Sequence, residues 1–247
     1  MSKILVIADI YAETQYFVDS IPLENQVAIA LQVTNTIGSK TLNASRVLAK
    51  LGNDVFLFGK IGSDQNGSIA LETIKDKYNL NPDFIYNVKN SSTGQLVVIT
   101  NNIGKSSITI QFGANKLVNE EDIDHISKYL SGFDMVYSAT NLTLPLLYKL
   151  VDKCNNFKVP IFIDVPNQQK EIDLKKLNNT TFIAPNRQEA ELLLGIEIQS
   201  VEDAKSACIQ IRENFIGNII ITLDEDGCVV LETEKLEVDY YAASKQT

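Results

Sequence analysis

The sequence predicts an α/β fold, a doubly wound and mostly parallel sheet with helices on both faces and a small extra β-sheet. Three observations carry this. Lys3-Ile-Leu-Val-Ile-Ala8 is a short unbroken apolar run, the pattern of a central strand covered on both sides. From Asp134 onward, strand-like and helix-like segments alternate, and helical stretches of about ten residues between strands indicate parallel pairing. Two β-rich blocks break that alternation, one within Tyr16 to Ile37 and one from Thr93 to Gln111. They mark insertions at about 14–37 and 93–111, either a small sheet of their own or extra strands on the main sheet. With 45% hydrophobic content, residues 1–247 suit a single α/β domain with a large core.

Taken in order, the first strand runs out at Asp9-Ile-Tyr-Ala-Glu13. Ligands of open α/β sheets sit beyond the carboxyl ends of such strands, so Glu13 is either a substrate ligand or a solvated loop carboxylate. Val27 to Ile37 is β-favouring and lacks helix stops. Gly38-Ser-Lys-Thr then opens a helix whose apolar residues Leu42, Val47, Leu48 and Leu51 share a face, with Gly52 as its stop. Asn43 falls in its first turn, among backbone N–H groups that have no helical partner. A strand at Asp54 to Phe58 leads into Gly62-Ser-Asp64-Gln-Asn-Gly67. Thr93 to Thr100 and Ser106 to Gln111, joined by Asn101-Asn-Ile-Gly-Lys105, read as a hairpin. Asn119 is a predicted N-cap for a helix over Glu120 to Leu130.

The regular alternation follows. Strands are predicted at Asp134–Tyr137, Val159–Asp164, Thr181–Ala184 and Asn218–Thr222, and helices at Leu144–Cys154, Asn186–Leu194 and Val201–Glu213. Asn186 and Glu189, directly after Pro185, share a helix face at a helix start. That arrangement can hold a magnesium-bound water shell beside phosphates; it is equally a capping pair. Thr222 to Gly227 reads as a hairpin turn between two apolar strands.

Composition narrows the function classes. A net charge of −9 and a pI near 4.7 oppose binding to nucleic acid or an anionic membrane, which need a positive field. No apolar run of about 18 residues predicts a spanning helix. The polar start, with Ala12-Glu-Thr-Gln, has no signal-peptide order, so a cytoplasmic protein is expected. Cys154, Cys208 and Cys228 are odd in number and lie in apolar patterns, as reduced packing residues do. His125 has no second His or Cys nearby and is expected at the surface. A P-loop and a Ser/His/Asp hydrolase set are both missing, and no Gly-x-Gly-x-x-Gly turn follows the first strand.

The order Gly38, small residues, Asn43, Ala44, a helix closing on Leu51-Gly52, a strand, then Gly62-x-Asp64-x-x-Gly67 resembles the first signature of the ribokinase-like (PfkB) carbohydrate kinases, with Ser39 and Thr41 where more glycine is usual. Similarity extends over nearly the whole chain. Pro185-Asn-x-x-Glu-Ala-Glu191 resembles the family's Asn-x-x-Glu motif, and Ile220 to Gly227 its Thr-x-Gly-x-x-Gly turn, with Asp224 in place of a glycine. Asp164-Val-Pro-Asn167 looks like the Asp-Pro-Asn element, and Thr140 stands where some sugar kinases have an acidic ligand.

The resemblance implies ATP-dependent phosphorylation of a sugar or nucleoside with Mg²⁺. It implies that the small sheet is a lid over the sugar and in many members a homodimer interface. By the same resemblance Glu13, Gly38 and Asn43 hold the acceptor, Asn186, Thr222 and Gly227 border the nucleotide, and Glu189 organises the metal. The Asp-Thr-x-Gly-Ala-Gly-Asp signature, whose last Asp is the family's general base, does not occur in the 247 residues, so the base is expected beyond Thr247. The alternative is a truncated or degenerate chain that binds a metabolite or partner without turnover.

Overall fold

A computed structural model describes residues 1–139, 142–165, 172–178 and 180–244; Thr140, Asn141 and Asn167 lie outside them. The chain divides into two compact units, one of Lys3–Val118 and one of Asn119–Thr247.

The first unit contains β1 (Lys3–Ile7), β2 (Tyr11–Val18), β3 (Ala30–Gly38), α1 (Lys40–Lys50), β4 (Asp54–Gly62), α2 (Gln65–Glu72), β5 (Asn81–Val88), β6 (Gly94–Asn101) and β7 (Ser106–Gln111), with a π-helical turn Thr73–Lys77 after α2. β1, β4 and β5 pair in parallel, β4 in the middle. Their side chains, Leu5, Ile7, Leu57, Phe58 and Ile61 among them, are fully buried, as the unbroken apolar runs of β1 and β4 require. β5 has no clear alternation and carries Pro82. It pairs with β4 at one edge of the sheet, where a proline costs no ladder bond.

The predicted small sheet is present as a separate four-stranded sheet in the order β3-β2-β6-β7. Its two sequence blocks meet at the β2–β6 pair, which is parallel, and each block adds an antiparallel partner. Two expectations are corrected here. Glu13 lies inside β2, not in a loop after β1, because the chain leaves β1 at Ile7 and pairs again from Tyr11. In α1 the buried face is Thr41, Leu42 and Ser45, while Val47 and Leu51 are 56% and 73% exposed. The small polar residues can be buried because Ser45 Oγ donates to Thr41 O (2.8 Å) and Thr41 Oγ1 donates to Asp9 O (3.3 Å).

The second unit contains α3 (Glu120–Ser127), β8 (Met135–Ser138), α4 (Leu144–Asn156), β9 (Ile161–Ile163), β10 (Phe182–Ile183), α5 (Arg187–Leu194), α6 (Val201–Arg212), β11 (Asn218–Thr222), β12 (Cys228–Leu231) and β13 (Asp239–Tyr241). β8 to β11 are parallel neighbours, and β12 and β13 continue as antiparallel strands. Asn119 closes a capping box with Asp122 at the start of α3, as its N-cap position predicts. Cys154 and Cys208 are buried free thiols, and burial pushes each up to about 12. His125 is exposed. Among the described residues no helix is long and apolar enough to cross a membrane.

Candidate functional site

In the first unit, the sequence-predicted acceptor residues gather at the joint between β3 and α1. Tyr11 and Glu13 of β2 face Gly38 and Thr36 of β3 across an antiparallel ladder. Glu13 leans along that ladder until its Oε2 occupies the place a Cβ on Gly38 would need. A side chain at position 38 would have to displace that carboxylate. Ser39 then caps α1: its Oγ accepts from Leu42 N (3.0 Å) and bonds Thr41 Oγ1 (2.8 Å). Asn43 is one turn inside the helix, its N–H already donated to Ser39 O (3.0 Å) and its side chain exposed. It is therefore not in the open first turn; the cap at Ser39 starts the helix one residue after Gly38.

A cavity of about 450 Å³ opens beside the small sheet, with Glu13, Thr14, Asn35, Asn66, Lys77 and Gln95 in its wall. Of the three predicted acceptor residues, Glu13 lines it and Gly38 and Asn43 do not. Thr14 Oγ1 donates to Asn35 Oδ1 across the ladder (2.9 Å). Among the described residues the Glu13 carboxylate accepts no hydrogen bond, so its acceptor capacity is open to a ligand.

The Gly62-x-Asp64-x-x-Gly67 motif has a different use. Asp64 caps α2, Oδ1 accepting from Gly67 N (2.9 Å) and from Thr93 Oγ1 (2.6 Å), while Oδ2 accepts from Thr93 N (2.9 Å). Thr93 Oγ1 in turn accepts from Gly62 N (3.0 Å). A Cβ on Gly62 would run into Ser91 O. Thr93 is fully buried and stands one residue before β6, so the motif ties the base of the small sheet to β4 and α2. Burial pushes the Asp64 carboxyl up, but the Thr93 hydroxyl and the Thr93 and Gly67 N–H groups outweigh it and hold its pKa below the usual carboxylate value. Sequence reasoning missed Thr93, whose partner is 29 positions away.

In the second unit, Asn186 and Glu189 form a reciprocal capping box at the start of α5. Asn186 Oδ1 accepts from Glu189 N (2.9 Å) and Glu189 Oε2 from Asn186 N (2.6 Å). The capping reading of the sequence is thus met. Within the cap the carboxylate accepts through Oε2 alone. Asn186 also forms a parallel bridge with Thr222, whose N–H donates to Pro185 O (3.1 Å). Two motifs far apart in sequence therefore lie side by side where β11 ends and α5 begins.

Beyond Thr222 the chain makes a tight antiparallel turn into β12, closed by Leu223 N donating to Gly227 O (2.8 Å). Asp224 adopts φ 52° and Gly227 φ 94°. The left-handed angle explains why glycine suits position 224. A Cβ on Gly227 would run into Tyr241 O, so packing alone demands that glycine. Asp226 is paired with Arg187 Nη2 (2.7 Å), which offsets part of the negative charge of the turn. Nearby, Tyr137 OH donates to Asp164 Oδ2 (3.3 Å). Burial, then the charges of Asp164 and Glu189, raise the Tyr137 pKa and keep the phenol a donor. Sequence reasoning missed Tyr137, which reads there only as a strand residue.

A helix start and a threonine at a strand end suit a phosphate-bearing ligand, and one carboxylate suits the water shell of a divalent cation beside it. The pfkB family carbohydrate kinase profile matches residues 1–246. The chain belongs to that family. PfkB membership carries ATP use and makes this chain a carbohydrate or nucleoside kinase by family. It is similar to a deoxyribokinase of Salmonella typhi, 23% identical over 213 residues, 86% of this chain and 69% of that protein. It is also similar to a guanosine-inosine kinase of Exiguobacterium acetylicum, 25% identical over 238 residues, 94% of this chain and 77% of that protein. The fold matches the structure of Arabidopsis thaliana ribokinase complexed with ribose and ATP, with TM-score 0.82, 19% identity, and 98% of this chain and 78% of that chain covered. The ribokinase-like fold expected from the PfkB resemblance is therefore present, and the kinase reading is favoured over binding without turnover.

Proposed function

We propose that this PfkB chain takes the γ-phosphoryl group of ATP to a hydroxyl of a pentose or nucleoside, with the acceptor held in the first unit and the nucleotide in the second. The observation that carries the reading is the Asn186–Thr222 bridge, which sets both nucleotide motifs beside the N-terminus of α5. Glu13, Gly38 and Asn43 hold the acceptor: the Glu13 carboxylate accepts from sugar hydroxyls, Gly38 gives it room, and Asn43 offers donor and acceptor at once. Asn186, Thr222 and Gly227 border the nucleotide. Glu189 orders the water shell of Mg²⁺, which when bound neutralises charge on the phosphates.

Each role follows from the chain's own chemistry. Glu189 is 3% exposed, and a buried carboxylate favours a cationic neighbour. Tyr137 donates to Asp164 and keeps it turned toward the same strand ends. The small sheet acts as the lid over the acceptor. Its Tyr16, Val33 and Val97 share one face by register and are partly exposed, which suits a homodimer through the lid. The reading gives proton abstraction to none of the 247 residues. Reduced, buried cysteines fit a cytoplasmic setting.

The test is ADP formation from MgATP with a panel of ribose, 2-deoxyribose and ribonucleosides. Acceptor-dependent ADP that disappears with chelator is the expected result. Retained acceptor binding with no acceptor-dependent ADP would overturn the reading for this chain.

A further inference from the structure

The first unit holds a second, smaller cavity whose chemistry differs from the one beside Glu13. It measures about 240 Å³ and is lined by Arg46, Ala49, Lys50, Lys77, Tyr78 and Asn79. Three cations thus converge on one hollow in a protein of net charge −9. Among the described residues none of the three forms an ion pair or a hydrogen bond through its side chain, whereas Lys149, Lys153, Arg187, Lys205 and Lys235 all pair with carboxylates. Arg46 and Lys50 lie one helical turn apart on α1, and so point to the same side. Arg46 is also held in place, its guanidinium stacked 4.3 Å from the centre of the Tyr78 ring. Stacking fixes the plane of the fork and leaves its N–H groups available.

The end of α1 would ordinarily disfavour an anion. Here three carbonyls of its last turn are already taken, by Leu51 N on Val47 O, Gly52 N on Ala49 O, and both the backbone and side chain of Asn53 on Leu48 O. The partial negative charge that repels anions at a helix C-terminus comes from unsatisfied carbonyls, so these bonds reduce it beside the three cationic side chains.

We propose that this cavity binds a phosphate group, held by the Arg46 fork and the ammonium groups of Lys50 and Lys77. The ligand is free phosphate or a phosphate monoester of a small metabolite, whose phosphate the three cations would neutralise. The site is wired to the acceptor cavity by two contacts. Lys77 lines both hollows. Tyr78, under Arg46, donates its OH to Ile37 O (2.7 Å) and lies 3.1 Å from Thr36 Oγ1, beside Gly38 and opposite Glu13. Phosphate in the smaller cavity thus acts on the β3–α1 joint; that consequence rests on the acceptor reading above, whereas the binding does not.

The test is a titration of the isotopically labelled chain with inorganic phosphate, and separately with ribose 5-phosphate, at ionic strength held constant with sodium chloride, read by amide resonances. Saturable shifts are expected at Arg46, Lys50, Lys77 and Asn79, with Thr36 and Ile37 moving at the same midpoint. Arg46→Gln and Lys50→Gln should each raise that midpoint about tenfold, the value of one charge-assisted contact. Lys50 is exposed, so its variant remains folded even where Arg46→Gln does not. A tighter midpoint for the ester assigns the site to a phosphorylated metabolite, and equal midpoints assign it to phosphate itself. Shifts that do not saturate, or that are the same in both variants, overturn the site. Saturation at Arg46 and Lys77 without movement at Thr36 and Ile37 overturns the link to the acceptor cavity.

Discussion

Asp64 and Glu189 are both motif carboxylates at the start of a helix, yet their surroundings give them different work. Asp64 accepts from three donors of its own chain, Gly67 N, Thr93 N and Thr93 Oγ1. Glu189 is more deeply buried, and its capping box engages one oxygen. A carboxylate that takes three donors, two backbone amides and a buried hydroxyl, with both oxygens engaged, is a clamp. One that closes a cap with a single oxygen, at the helix start that bridges to Thr222, is the one the proposed function gives to the metal. On the proposed function, the family signatures therefore mix residues that hold the fold with residues that meet substrate.

The largest effect that would sharpen this contrast is on stability. Asp64→Ala strands the buried Thr93 hydroxyl and amide and should lower the unfolding free energy by about 3 kcal/mol, measured by urea denaturation. Binding of a nucleotide analogue to the folded variant should be unchanged; if stability stays within about 0.5 kcal/mol of the parent, Asp64 is no clamp.

Glu189→Gln is the converse. Its amide oxygen can still accept from Asn186 N, so stability should change by less than about 1 kcal/mol, while the rate of acceptor-dependent ADP formation falls about 100-fold through the lost charge. A variant of near-parental rate would leave Glu189 a cap and nothing more.

The contrast also has a pH signature. Asp64 has a depressed pKa in the folded chain, so its contribution is complete above the unfolded value of about 3.9 and is lost as pH falls through the lower folded value. In Asp64→Asn that part of the acid-side loss should vanish, so that parent and variant curves converge at low pH in denaturation series. The smallest effect is Glu13→Asp. Shortening the side chain withdraws the carboxylate from Gly38, and KM for the acceptor should rise about threefold with kcat little changed, a loss of uniform binding.

Much of the fold was legible because local pattern and burial agree. The apolar runs of β1 and β4, the caps at Asn119 and Asn186, and the strand Asn218–Thr222 all stand where periodicity and capping chemistry predict them. β5 was not legible, since an edge strand with Pro82 needs no alternation. The exposed Val47 and Leu51 misled because Thr41 and Ser45 are buried by hydrogen bonds that no helical wheel reveals.

In the candidate site, Gly38 was readable as a small-residue entry, but its place against the Glu13 side chain across the ladder was not. Thr93, Tyr137 and the Arg46–Tyr78 stack were silent for the same cause: each acts through a partner distant in sequence.

The division between acceptor and nucleotide residues is tested most directly by two titrations of the labelled chain, one with ribose and one with a magnesium complex of a non-hydrolysable ATP analogue. Ribose should move the amides of Glu13, Gly38 and Asn43, and the nucleotide those of Asn186, Glu189, Thr222 and Gly227. Nucleotide shifts centred on Glu13 and Gly38, or none at Asn186 and Thr222 under saturating analogue, would contradict the account.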